Sequence, residues 1–104
     1  MTRPALLDPD EVHAWITAHP TWRDEGSHLI REIETTDYPS GPGLVQAQVS
    51  LAEGLNHHPT VTLGCRRVRF DLWTHDQGGV TQLDLDYAEG LDVIIARDFA
   101  GFVR

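Results

Sequence analysis

The chain of 104 residues is 40% hydrophobic and 23% charged, which is typical of one globular domain spanning residues 1–104 and unlike a disordered segment. Sixteen acidic and eight basic residues give a net charge of −8, and such an acidic surface repels phosphates, so no nucleic-acid partner is expected. No apolar run approaches the roughly 20 residues that cross a bilayer, and residues 1–7 lack the apolar core of a signal peptide, so we expect a cytoplasmic protein that binds no membrane.

The first predicted helix begins at a recognisable cap. Asp8 can serve as the N-cap, Pro9 fits the first helical position, and Glu11 completes a capping box. Apolar residues with helical spacing follow, namely Val12, Trp15 and Ile16. Pro20 ends the helix because a proline pushes the preceding residue out of the helical region.

A β-hairpin is predicted next. Residues 21–23 and 28–35 are rich in strand-forming types, and the polar segment 24–27 between them is typical of a turn. Residues 37–43 contain two prolines and two glycines and are predicted to form a loop.

The second half of the chain alternates in the same way. A second helix is predicted over residues 44–56, with a wide apolar face suited to packing on a sheet. Strands follow at residues 60–63 and 68–75, and Thr81 caps a third helix. The order α-β-β-α-β-β-α, with strands paired by tight turns, predicts an α+β fold in which helices pack on one face of a four-stranded antiparallel sheet.

Two adjacent histidines stand where the second helix must end. His57 and His58 precede Pro59, which forces His58 into an extended conformation. Glu53 lies four residues before His57 on the same predicted helix face, where its carboxylate could orient the imidazole and select its tautomer. The alternative is an ordinary exposed pair of a glutamate and a histidine.

Three more residues have both a functional and a structural interpretation. His75 ends the predicted fourth strand, either at a site or simply at the surface. Asp84 lies three residues after Thr81, where a carboxylate completes a capping box. Trp22 could simply pack in the hydrophobic core. The remaining histidines fit no constellation and are interpreted as surface residues: His13, His19 and His28.

A metal site is an alternative use of the same side chains, since imidazoles and a carboxylate are ligands for zinc or ferrous iron. Adjacent residues that enter an extended segment tend to point apart, however, so His57 and His58 would not easily share one ion. We therefore expect no metal.

Together these residues resemble the signature of the pterin-4a-carbinolamine dehydratase family. The pattern is an acidic residue, three others and His-His-Pro, then a histidine and an aspartate, and it is met here by Glu53, the segment 57–59, His75 and Asp84. The resemblance covers residues 22–91, and the order of elements in this family is the one predicted above.

The resemblance implies removal of water from 4a-hydroxytetrahydropterin by acid–base catalysis, for the recycling of a pterin and without a cofactor. It implies that His57, His58 and His75 are catalytic. The residues it places around the substrate are Glu53, Asn56, Thr74, Asp84 and Trp22. It further implies a homodimer or homotetramer.

The chain departs from this family at several positions. Cys65 replaces an aromatic residue, Thr60 and Val61 stand where another aromatic is common, and Trp73 occupies a position that is usually small. We expect these changes to alter the walls or rim of the site. They leave open a second hypothesis, a binding or regulatory module that keeps the fold without the activity, as well as the metalloprotein.

Overall fold

The computed structural model describes residues 4–104, so part of the predicted N-terminal segment, residues 1–3, lies outside it. Its helices are α1 (Pro9–Ala18), α2 (Ser40–Ala47), α3 (Val49–Leu55) and α4 (Gln82–Asp98). Its strands are β1 (Arg23–Asp24), β2 (Leu29–Glu34), β3 (Thr60–Leu63) and β4 (Arg67–Leu72). Short 3₁₀ turns lie at His75–Gln77 and Ala100–Phe102. Within the described chain, no helix has both the length and the apolar character needed to cross a membrane.

The four strands form one antiparallel sheet in the order β1-β2-β4-β3. In the central pair, Leu29 lies opposite Leu72 and Ile33 opposite Val68. These side chains and that of Phe70 are at most 1% exposed, because alternate residues of a strand point to the same face. The predicted α+β class with a four-stranded antiparallel sheet is confirmed.

The buried face of the sheet carries the hydrophobic core. Helix α4 contributes Tyr87, Ala88 and Leu91, each fully buried, and α2 contributes Leu44. Burying each large apolar side chain stabilises the fold by roughly 1.5–3 kcal/mol. This packing fixes the start of α4 relative to the sheet.

Both predicted capping boxes are present. The Asp8 carboxylate accepts a hydrogen bond from the Asp10 amide at 2.8 Å and begins α1. The Thr81 hydroxyl accepts from the Leu83 amide at 3.3 Å, and the Asp84 carboxylate accepts from the Thr81 amide at 2.8 Å. The second box begins α4 and also holds Asp84 in place.

The predicted loop at residues 37–43 is wrong in its second half, because α2 begins at Ser40. The Asp37 carboxylate accepts a hydrogen bond from the Ser40 amide at 3.0 Å. Pro42 lies in the first turn, where the amide that it lacks would have no helical partner. At Gly41 a Cβ would lie only 3.2 Å from Cγ2 of Val68, so the glycine allows α2 to lie against the sheet.

The predicted second helix is divided in two at Gln48. The Gln48 side-chain amide donates to the Val45 carbonyl at 3.0 Å, and its side-chain carbonyl accepts from the Tyr87 hydroxyl at 2.6 Å. The Gln48 backbone keeps its helical bonds to Leu44 and Ala52, at 3.1 and 3.0 Å, so the break between α2 and α3 is local and lies where its side chain takes the Val45 carbonyl.

The bounds of two strands also differ from the prediction. β1 lies at Arg23–Asp24 rather than at residues 21–23, because Trp22 turns into the core. β4 ends at Leu72, and the Thr74 amide bonds back to the Gly79 carbonyl at 2.8 Å. His75 therefore lies in a turn and not on the strand, contrary to the prediction.

Candidate active site

An open cleft of about 870 Å³ lies where α3 ends, where the chain turns after β4 and where α4 begins. Its walls include the three histidines of the predicted site, His57, His58 and His75. Asn56 and Thr74, which the family resemblance places around a substrate, also line it. The structure thus brings together, at one cleft, two segments of the chain, residues 56–58 and residues 74–75.

The turn that presents the first two histidines is set by Asn56. Its φ of 50° and ψ of 46° are left-handed, a conformation that asparagine tolerates better than most residues. The His57 amide then donates to the Ala52 carbonyl at 2.9 Å, which closes the helix end. This reversal turns His57 inward, and Pro59 holds His58 in an extended conformation ahead of β3.

His57 is bound by a fully buried carboxylate. Its Nε2 lies 2.5 Å from Oδ1 of Asp84, a residue with no exposed surface. Oδ2 of Asp84 accepts from the Thr74 hydroxyl at 2.9 Å and from the Thr81 amide at 2.8 Å. A carboxylate only accepts, so Nε2 carries the proton in this bond, and in the neutral form of His57 the lone pair lies on Nδ1.

This network corrects the predicted position of Asp84 and refines that of Thr74. Asp84 is 0% exposed and does not contact the cleft, so it would act through His57 rather than touch a substrate. The Thr74 hydroxyl lies 2.7 Å from that of Thr81, and Thr74 is 5% exposed. The Thr74 hydroxyl therefore binds the Asp84 carboxylate, and any contact with a substrate would be secondary.

The predicted pairing of Glu53 with His57 is wrong. The Glu53 carboxylate lies 2.9 Å from His58 Nε2, and both side chains are exposed. The prediction assumed a continuous helix through His57, but the left-handed turn at Asn56 rotates the following residues away from the helical register. Glu53 therefore lies on the outer rim of the site, with His58.

His75 lies on the 3₁₀ turn and is exposed at the cleft. Its ring stacks on that of Trp73, and Trp73 in turn stacks on His28. Sequence reasoning missed His28, which it interpreted as an isolated surface residue. The alternation along β2 and β4 gave a weak signal, since it places Trp73 away from the buried face.

Trp22 is not at the site, contrary to the prediction. It is 2% exposed within the core, and its indole nitrogen donates to the Asp92 carboxylate at 3.0 and 3.1 Å. Arg31 also donates to Asp92, at 2.5 Å. Trp22 thus anchors α4 to the start of the sheet, which is the structural interpretation left open by the sequence.

The family departures on β3 and in its hairpin lie away from the cleft. Cys65 is exposed in the connection between β3 and β4, and Thr60 and Val61 lie on β3. None of the three is among the residues lining the cleft, so the expectation that they shape its walls is wrong. Across residues 4–104, no three His, Cys, Asp or Glu side chains are grouped as metal ligands.

The fold and the site together define an α+β protein whose cleft is lined by imidazoles, one of them backed by a buried carboxylate. Residues 5–94 match the family model described as Pterin 4 alpha carbinolamine dehydratase. The chain belongs to the pterin-4-alpha-carbinolamine dehydratase family.

Relatives of similar length support this membership. A protein of Natronomonas pharaonis is 42% identical over 83% of this chain and 91% of its own. A protein of Mycobacteroides abscessus is 37% identical over 89% of this chain and 99% of its own. The names of both assign them provisionally to the same dehydratases.

Two solved structures share the fold. A transcriptional coactivator/pterin dehydratase from Brucella melitensis has a TM-score of 0.79 and 28% identity, over 86% of this chain and 97% of the other. A pterin dehydratase-like protein identified as a RuBisCO assembly factor in the alpha-carboxysome has a TM-score of 0.60 and 19% identity, over 71% and 88%. The second likeness shows the fold alone.

Proposed function

We propose that this protein is a hydro-lyase that removes water from 4a-hydroxytetrahydropterin and releases quinonoid dihydropterin. Family membership supports the reaction class. The observation that carries the proposal is the convergence of His57, His58 and His75 on one cleft, with Asp84 buried behind His57.

The reaction needs two proton transfers. A base takes the proton from N5, the electron pair left on N5 forms a double bond to C4a, and the bond between C4a and the hydroxyl oxygen breaks. An acid gives that oxygen a proton, so it leaves as water. No electron enters or leaves the substrate, and histidine suits both tasks because its ordinary pKa is about 6.5.

We assign the base to His57. Its Nε2–H is held by Asp84, which leaves Nδ1 as the nitrogen available to accept the proton from N5. The nearby negative charge of Asp84 would stabilise the imidazolium that forms. We assign the acid to His75, which reaches the cleft from a different segment of the chain.

The remaining cleft residues would bind the substrate. His58, held by Glu53, would stabilise charge on the pterin, and Asn56 would offer its side-chain amide. We further propose that the protein acts in the cytoplasm in pterin recycling, as a homodimer or homotetramer, as the family resemblance implies.

The experiment is a dehydration assay on 4a-hydroxytetrahydropterin generated in place. General acid–base catalysis is typically worth about 10²–10⁴-fold, so His57→Ala and His75→Ala should each lower kcat within that range. The matched control is His13→Ala, because His13 is exposed on α1 away from the cleft, and its kcat should equal that of the unmodified protein.

Unchanged turnover in both cleft variants would remove the assignment of acid and base. If the unmodified protein binds the pterin but does not turn it over, the proposed activity is wrong, and the binding-module hypothesis takes its place.

A further inference from the structure

The three imidazoles at the cleft are not held in the same way. His57 is held by Asp84 and His58 by Glu53, each through Nε2. His75 lies exposed on a turn of three residues, and within residues 4–104 its ring makes no hydrogen bond or ion pair. A side chain in such a position would ordinarily sample several rotamers and rarely hold the geometry that proton transfer requires.

A column of three parallel rings supplies the missing support. The centroids of His75 and Trp73 lie 4.4 Å apart with an angle of 8° between the ring planes. On the other face of Trp73, His28 lies 4.0 Å away, also at 8°. We call His28, Trp73 and His75 the ring column.

The base of the ring column is fixed to the sheet. His28 immediately precedes β2, and Trp73 immediately follows β4, the strand paired with β2. Nδ1 of His28 lies 4.0 Å from the carboxylate of Asp71, which is itself bound by Arg69 at 2.8 and 3.1 Å. His28 therefore supports the indole of Trp73 on the face opposite His75. Trp73 is not among the residues that line the cleft.

A stack and a hydrogen bond restrain an imidazole differently. A carboxylate that orients the ring occupies one of its two nitrogens, as Asp84 does for His57. A stacked indole restrains the ring plane through dispersion and quadrupole attraction and occupies neither nitrogen. His75 can thus be oriented while Nδ1 and Nε2 both remain available.

We propose that Trp73 is a positioning residue for His75, with His28 as its support. This inference rests on the proposed function. One nitrogen of His75 gives its proton to the departing hydroxyl, and the other takes a replacement proton from solvent at the exposed mouth of the cleft. The proton that His57 took from N5 returns to solvent, so each turnover balances.

The first test is spectroscopic and needs no activity. In proton NMR, the His75 ring protons should show an upfield ring-current shift, assigned by its disappearance in His75→Ala. Trp73→Ala should abolish this shift, and Trp73→Phe should retain part of it. Trp15→Ala is a matched control, because Trp15 stacks on His19 at 4.0 Å and 12°, away from the cleft. It should leave the His75 signals in place.

The second test is kinetic. The free energy of a stacked aromatic pair predicts that kcat falls by about 2- to 12-fold in Trp73→Ala. KM should not change, because Trp73 does not line the cleft. Trp73→Phe should recover kcat to within about twofold, since a phenyl ring can also stack. Trp15→Ala should keep both constants.

The outcomes separate this inference from the proposed function. If His75→Ala is impaired while Trp73→Ala keeps full kcat, or raises KM alone, Trp73 is not a positioning residue and the assignment of His75 stands. If His75→Ala is fully active, the assignment of His75 as the acid fails and this inference fails with it, while the dehydratase activity itself stands. A ring-current shift that survives Trp73→Ala also overturns the inference.

Discussion

Asp84 shows how one side chain can serve both a helix and a site. Its Oδ2 closes the capping box of α4 while its Oδ1 holds His57. The capping interpretation made from the sequence was therefore correct but incomplete. A buried carboxylate with three donors is costly to disturb, since each buried group left unpaired costs about 1–3 kcal/mol.

Replacing Asp84 with asparagine should separate charge from shape. In Asp84→Asn the new side-chain amide can donate a hydrogen bond to His57, which favours the wrong tautomer of the imidazole. The substitution also removes the negative charge beside the base. We therefore expect kcat to fall by about 10²–10⁴-fold. The dehydration assay measures this at a temperature where the variant remains folded by circular dichroism.

Asp86→Asn is the control for that substitution. Asp86 is exposed on the same helix and accepts a hydrogen bond only from Gln82, at 2.9 Å, in the described chain. Its kcat should be unchanged. Turnover in Asp84→Asn equal to that of Asp86→Asn would show that the buried charge does not assist His57.

For single residues, the sequence predicts which side chains belong to the site better than it predicts which other side chains they contact. His57, His58 and His75 could be selected because their spacing matches a signature and imidazoles suit the chemistry. The partner of Glu53 could not be predicted, because it depends on a left-handed residue at Asn56. The ring column depends on the register of two strands far apart in the chain.

The end of α3 is the element that orients the first two histidines. Asn56 holds a conformation that costs a non-glycine residue roughly 1–2 kcal/mol, and most of all a β-branched one. Asn56→Val should therefore lower the free energy of unfolding by about 1–2 kcal/mol, whereas Asn56→Gly should not share this loss because glycine adopts positive φ freely.

Urea unfolding of both variants measures this difference. Because either substitution removes a side chain that lines the cleft, stability rather than turnover is the appropriate quantity. Equal midpoints for the valine and glycine variants would mean that the left-handed turn places no demand on this position.

The elements that the sequence predicts well are those with local signals. The two capping boxes fix the starts of α1 and α4 without reference to distant residues. The segment that begins α2 misleads because proline and glycine usually mark loops. Here Pro42 occupies the first turn and Gly41 fits against Val68, a contact visible only in three dimensions.

For the molecule as a whole, the sheet order also exceeds what local pattern provides. The hairpins β1–β2 and β3–β4 follow from tight turns, but the pairing of β2 with β4 joins segments separated by α2 and α3. Nothing in the periodicity of either strand selects its partner. The general architecture is predictable, whereas the central contact of the sheet is not.

Global stability at alkaline pH should depend on Tyr87. Burial raises the pKa of its hydroxyl above the ordinary value of about 10. The folded state therefore keeps a proton that the unfolded chain releases. This contribution is complete below about pH 10 and is lost as pH rises toward the raised pKa of the folded state, at up to about 1.4 kcal/mol per pH unit.

Urea unfolding between pH 9 and 11.5 tests this dependence. Tyr87→Phe should be less stable at neutral pH, since the Gln48 carbonyl loses its donor, but its stability should fall less steeply above pH 10. The control is Tyr38→Phe, because that side chain is 61% exposed. Identical slopes in all three proteins would contradict the role of Tyr87.

The bond between His57 and Asp84 joins residues 27 positions apart, and the enclosed segment contains β3 and β4. The pair therefore forms only when α3 and α4 have packed against each other. Catalytic competence would consequently depend on tertiary assembly, and a chain in which α4 is not packed would carry the histidine without its counter-charge.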